Sequence, residues 1–177
     1  MPEHVELTVA NLLDKLAGEV RSETGPGSFT KAFNETLIVE FRTNSGRLTG
    51  EFAQAPFLLL TTKGAKSGKE RTTPLGYVQI DGRVLVIASM GGAPKHPAWY
   101  LNLVANPAVT VELGAENYRA RAVVIAGPER DMLYAQVAAT IPTFAEYQGR
   151  TDRVIPVVEL RRIDGSIHRP VVTGRME

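Results

Sequence analysis

The chain has 177 residues, 44% of them hydrophobic and 22% charged, with a formal net charge of +1 and no cysteine. That is the size and composition of one ordinary globular domain. The balanced charge excludes a global field that draws nucleic acid or anionic lipid, and the missing cysteines exclude disulfides, thiolate metal sites and a cysteine nucleophile.

The opening stretch, MPEHVELTVANLLDKLAGEVRSE, has no basic segment followed by an apolar core, so no signal peptide is expected. No run reaches the roughly 18 apolar residues of a spanning helix. The expected compartment is the cytoplasm, with peripheral contact at the inner face of the cell membrane as the second reading. Val5, Val9, Leu12, Leu13, Leu16 and Val20 recur at helical spacing and form one stripe. The opposite side carries Glu3, Glu6, Asp14, Glu19 and Glu23 against only Lys15 and Arg21. A membrane-surface helix is rich in cations there, so packing on the protein's own body or a partner is favoured. SETGPGS then reads as a linker, which makes residues 1–28 a helical arm and 29–177 the main domain.

Phe33, Leu37, Ile38 and Phe41 predict a second helix, ended near Asn44-Ser45-Gly46 by residues that tolerate the left-handed region. From Phe57 the period changes. PFLLLTT predicts a buried strand, TTPLGYVQI a second, and RVLVIAS a third, returning through Asp81-Gly82. A short helix, PAWYLNLVANP, follows. AVTVELG and NYRARAVVI predict a hairpin across Ala115-Glu116, with Tyr118, Ala120, Ala122 and Val124 alternating against Arg119 and Arg121. GPERDMLYAQVAATIP is a helix opened by Pro128-Glu129. TFAEYQGRTDR reads as a turn, VIPVVELRRI as the last strand, and Asp164-Gly165 as a turn after it. The fold class is α+β, mainly β: about six antiparallel strands with flanking helices, in a small closed or half-closed barrel.

The stretch between the first two strands, TTKGAKSGKERTTPL, gathers Lys63, Lys66, Lys69 and Arg71 against Glu70 alone. It is not a nucleotide-triphosphate loop. That motif needs four residues between its glycines and a following helix, whereas three separate Gly64 from Gly68 and a strand follows. Glycines permit the positive φ that turns successive N–H groups toward one anion. Two readings stay open: an anion cradle or a solvated turn. Further on, ASMGGAPKHPAWYLNLVANP places Gly91-Gly92 where a strand ends and a helix begins, and holds the chain's single tryptophan. Exposed amides beside Trp99 and Tyr100 can hold a flat heterocycle; equally, Trp99 and Leu103 can be the inward face of a short helix. His96, between Lys95 and Pro97, is expected to face solvent. No histidine–carboxylate group has metal-ligand spacing, so no metal is expected.

Taken together, LLLTTKGAKSGKERTTPL, VIASMGGAPKHPAWYLNLVANPAV and IPTFAEYQGRTDRVIPVV resemble the deazaflavin-dependent nitroreductase family of actinobacteria, from about residue 30 to 160. Members are split β-barrel oxidoreductases, flavin-reductase-like in fold, that use coenzyme F420. The resemblance implies that Gly64, Lys66, Ser67, Gly68 and Arg71 hold the cofactor's phosphate, with Ala65 and Pro74 also at cofactor-binding positions. Ile87, Ala88, Ser89, Met90 and Gly91 would lie along the deazaflavin ring, with backbone amides on its pyrimidine edge. Pro97, Ala98, Trp99, Tyr100 and Asn102 would form the other wall, and Lys63, Lys69 or Lys95 would meet the acidic tail. Gly76, Ile141, Phe144 and Tyr147 fall at the substrate positions. Relatives often have a basic residue at position 65, a lysine at 90 and more tyrosines near the substrate. Ala65, Met90, Gly76, Ile141 and Phe144 stand here instead, which implies a more apolar pocket and argues against nitro-drug activation. The expected reaction is hydride transfer from reduced F420 to a quinone, enone or similar electron-poor acceptor, with Tyr147 and Ser89 as proton donors. An FMN-binding split-barrel reductase and a non-catalytic F420 carrier are the alternatives. A monomer or weak homodimer is expected.

Overall fold

The computed structural model describes residues 28–163. The amphipathic stripe of residues 5–20, most of the linker, and the Asp164-Gly165 turn lie outside them. Helix α1 (Ser28–Thr43) leads, and Ser45 and Gly46, at φ 54° and 84°, end it as the sequence predicts. The strands are β1 (Phe57–Lys63), β2 (Glu70–Gly76), β3 (Val78–Ile80), β4 (Arg83–Ile87), β5 (Ala108–Leu113), β6 (Glu116–Ile125) and β7 (Val157–Arg162). Helix α2 (Ala98–Ala105) joins β4 to β5, while α3 (Gly127–Thr140) and α4 (Thr143–Gly149) lie between β6 and β7.

All pairings are antiparallel, in the order β2-β1-β5-β6-β7-β4-β3, so the sheet curls into a half-barrel flanked by four helices. It has seven strands among the described residues where about six are expected. The extra one arises because TTPLGYVQI does not stay with one partner. Gly76 ends the pairing with β1, and Val78 begins pairing with β4, so the chain steps from one end of the sheet to the other across Tyr77. The Tyr77 amide meanwhile donates to the Pro56 carbonyl at 3.0 Å. Two further expectations need correction. The β5–β6 turn is Gly114-Ala115, because Leu113 pairs with Glu116. TFAEYQG is a helix rather than a turn, since Pro142 caps it and Phe144 and Tyr147 bury one side three residues apart.

Both sheet faces carry core. On the inner face Leu58, Leu60, Val86, Val111, Ala120 and Val158 close around Trp99 and Leu103 of α2. On the outer face, α3 and α4 cover Leu85, Ile125 and Val157. α1 covers Phe57 and Leu59 at the far end. Each fully buried aliphatic side chain contributes about 1.5–3 kcal/mol, so the two faces together fix the register of the shared strands. β6 shows how. Ala120 and Ala122 point inward, while Val123 and Ile125 face α3 and α4. Val124, expected inside, is 38% exposed where the inner core ends.

Behind α4 lies a polar knot. Arg130 is 9% exposed and donates to the Ile155 carbonyl through Nε (3.1 Å) and Nη2 (2.8 Å). Gln148 Oε1 accepts from Arg130 (2.8 Å) and from the Ile155 amide (3.0 Å). This holds the approach to β7 rigidly against α3 and α4.

Candidate active site

The cationic stretch forms the β1–β2 loop. Its register sets Arg71 directly opposite Thr62. Side chains alternate across a strand, so both lie on the inner face, at the rim beside α2. Asn102 of α2 ties the rim together. Its Oδ1 accepts the Ala65 amide at 3.0 Å, and its Nδ2 donates to Thr62 Oγ1 at 3.3 Å. Asn102, expected to be a wall, is thus also the strut that seats the loop on the helix.

Within the loop, most amides are spent on the turn itself. Gly64 N–H donates to the Lys69 carbonyl (2.8 Å), Gly68 N–H to the Gly64 carbonyl (2.9 Å), and Lys69 N–H to Ser67 Oγ (3.2 Å). Gly68 sits at φ 67°, the conformation glycine allows. A Cβ at Gly64 would meet Ser67 Oγ at 2.5 Å, so its role is close approach rather than positive φ. The amides of Lys66 and Ser67 therefore remain at the apex, beside the exposed Lys66 side chain and not far along the hairpin from Arg71. Among the described residues, no carboxylate lies within ion-pair range of Lys63, Lys66, Lys69 or Arg71. Four cations without a carboxylate partner among the described residues are disposed to take an anion. Pro74 is displaced from this group: it pairs with Leu59, whose side chain meets α1 on the outer face, opposite to Arg71.

The second component is the exit from β4. Ser89 is right-handed (φ −77°, ψ −40°), and then Met90, Gly91 and Gly92 are successively left-handed at φ 46°, 63° and 77°. A non-glycine residue at positive φ is uncommon, so the backbone at Met90 is strained and must be held by its surroundings. Met90 is 54% exposed, Ser89 half-buried, and Ala88 fully buried. Of the α2 wall, Trp99 belongs to the inner core and Pro97 is buried, which leaves Ala98, Tyr100 and Asn102 reachable from solvent. Ile87 is half-buried and packs toward the outer core.

What holds this loop is a residue that the sequence does not single out. Arg153 donates to the Ala93 carbonyl through Nε (2.8 Å), to the Ala88 carbonyl through Nη1 (3.0 Å) and to the Ser89 carbonyl through Nη2 (2.7 Å). Its Nη1 also meets His96 Nδ1 at 3.2 Å. His96 is therefore not turned to solvent as expected; it is half-buried between Arg153 and the Tyr100 ring, 4.7 Å away. Burial first, and then the Arg153 charge, push the His96 pKa below its ordinary value. The unfolded chain then binds the proton more readily, so this contribution to stability is complete above the ordinary value near 6.5 and is lost as pH falls below it. Thermal unfolding from pH 8 to 5 should show the wild type losing more on acidification than His96→Gln, whose amide oxygen still accepts from Arg153. Parallel curves for the two proteins would refute this.

The substrate positions divide. Gly76 and Ile141 are half-buried, whereas Phe144 (4% exposed) and Tyr147 (1%) lie in the outer core, with their rings edge to face at 5.7 Å. Arg150 stacks its guanidinium 5.5 Å from the Tyr147 ring. The sheet thus stands between Tyr147 and the inner-face residues Ala88 and Trp99. Of the two expected proton donors, Ser89 is the one left accessible. Among the described residues, no group of three or more histidines and carboxylates gathers in metal-binding fashion, and no helix is long and apolar enough to cross a membrane.

The family model for F420H(2)-dependent quinone reductase matches residues 35–161, which takes in the cationic loop, the strand exit, α2 and the Arg153 turn. The chain belongs to that family. A Mycobacterium tuberculosis protein named as an F420H(2)-dependent quinone reductase is 38% identical over 128 residues, 69% of this chain and 85% of its own. A solved F420-H2 dependent reductase is 44% identical, with a TM-score of 0.54 over 60% of this chain and 94% of its own. A second solved structure, described only as a domain-swapped dimer, is 39% identical, with a TM-score of 0.57 over 76% of this chain and all of its own. The reductase is an oxidoreductase whose family cofactor is F420. The groups present fit such a cofactor: unpaired cations for a phosphodiester and acidic tail, and, one strand exit away, amides for ring carbonyls.

Proposed function

We propose that this reductase passes a hydride from reduced F420 to a quinone, or to an enone of similar size, and that its residues divide the work as follows. Lys66 and Arg71, with the apex amides of Lys66 and Ser67, hold the phosphate. Asn102 keeps that loop against α2, and Lys63, Lys69 and Lys95 offer charge to the tail. Ser89, Met90 and Gly91 offer N–H groups to the pyrimidine edge, and Ala98 and Tyr100 present their atoms to a ring face. The cofactor, when bound, supplies the hydride. The protein orients it, shields the acceptor from water and delivers a proton, for which the half-buried Ser89 hydroxyl is the candidate. The single observation that carries this reading is that the cationic loop is seated on α2 through Asn102, while the strained Ser89–Gly92 exit leads along the chain into the same helix.

The test is anaerobic mixing of the protein with reduced F420 and a naphthoquinone, following return of the oxidised cofactor's absorbance. Turnover is expected with F420 and none with NADPH. Stoichiometric F420 binding with no hydride passed to quinone or enone would instead show a carrier, and preferential saturation by FMN would replace the cofactor.

A further inference from the structure

We propose that Arg153 is a positioning residue that sets the direction and donor strength of the Ser89–Gly91 amides, and through them favours the more negatively charged form of the bound ring. This rests on the F420 reading above. The carbonyls of Ala88, Ser89 and Ala93 all turn to the Arg153 guanidinium, and that of Gly91 to Arg150 at 3.4 Å. A peptide unit is planar, with its C=O and N–H pointing in opposite directions. Drawing the Ala88 and Ser89 carbonyls toward Arg153 therefore aims the Ser89 and Met90 N–H groups away from it. The right-handed Ser89 followed by left-handed Met90 turns the three amides of residues 89–91 toward a common side, the geometry of an anion nest. None of the three meets a protein acceptor among the described residues.

The same contacts act electronically. A cation bonded to a carbonyl polarises that peptide and makes its N–H a stronger donor. Among the described residues, no carboxylate lies within ion-pair range of Arg153, so its charge is answered chiefly by these carbonyl dipoles. The guanidinium is itself fixed at its root. Gln148 Nε2 donates to the Arg153 carbonyl at 2.8 Å, and Thr151 Oγ1 accepts its amide at 3.3 Å. Two-electron reduction of a deazaflavin creates an acidic N–H beside a pyrimidine carbonyl, and loss of that proton to solvent would place a negative charge at that edge. A polarised nest there binds the reduced form preferentially.

The experiment compares wild type, Arg153→Met and Arg153→Lys by anaerobic titration with oxidised and with reduced F420, alongside thermal melting and amide exchange of the unliganded proteins. In Arg153→Met the affinity for reduced cofactor is expected to fall on the order of 10-fold more than that for oxidised cofactor, as loss of charge-assisted polarisation requires. Faster exchange of the Gly92 amide, which donates to the Ser89 carbonyl at 2.9 Å, should accompany it. Arg153→Lys, which keeps a charge but not the fork, should lie between the two. A purely structural role would weaken both redox forms alike. An unchanged ratio of affinities in whichever variant folds overturns the proposal. Failure of the wild type to bind F420 at all would appear in the first titration and would overturn the cofactor reading itself.

Discussion

Gly92→Ala is expected to lower stability by about 2–5 kcal/mol, the sum of a left-handed alanine and a forced contact in a packed site. At φ 77° a side chain is strained in any surroundings, and these surroundings are closed. The new Cβ would stand 2.6 Å from the Tyr147 carbonyl oxygen and 2.9 Å from Arg150 Cβ. Neither can retreat freely, because Tyr147 is 1% exposed and anchors α4 in the outer core. The Ser89–Ala93 loop must lift from α4 instead, which pulls Ser89 and Ala93 off Arg153. Urea unfolding checks the first effect and F420 titration the second. A loss of stability below about 1 kcal/mol would mean that the loop has slack which these distances deny.

Arg71→Ala is expected to weaken F420 binding by about 10-fold, the low end for a charge-assisted hydrogen bond because Arg71 is exposed and screened. Its affinity should also depend less steeply on salt than that of the wild type, since one phosphate contact is gone. Fluorescence titrations at two ionic strengths would decide. Equal affinities for the two proteins would remove Arg71 from the phosphate site. Reduced affinity with an unchanged salt slope would assign it a packing role.

The parts of this fold that can be read from sequence are those governed by local chemistry. Asp81-Gly82 turns the β3–β4 hairpin, both residues at positive φ, and Ser45-Gly46 ends α1 in the same way. The cationic loop is equally plain, because its glycines and lysines are contiguous. What escapes is set by partners far along the chain. The alternation of TTPLGYVQI gives no hint that Gly76 and Val78 serve opposite ends of one sheet. A seven-residue helix such as TFAEYQG has little propensity of its own and exists because Phe144 and Tyr147 find a core. His96 looks solvent-bound beside Lys95 because its real neighbour is 57 residues away. Arg153 stands alone in TDRVIP; four acceptors on another loop give it meaning, and only the fold brings them near. Asn102 reads as a wall for a ligand and proves also to be a strut between a helix and a loop.

Among the described residues the curled sheet ends in two borders, β2 and β3, and each is poorly suited to recruiting a foreign strand. β3 is three residues long, too short for a stable added ladder. β2 begins with exposed Glu70 and Arg71 and has Pro74 in its middle, where no amide is available to extend the pairing. The half-barrel can thus stay open while resisting self-templated growth at its sides, a safeguard against aggregation that full closure would otherwise provide.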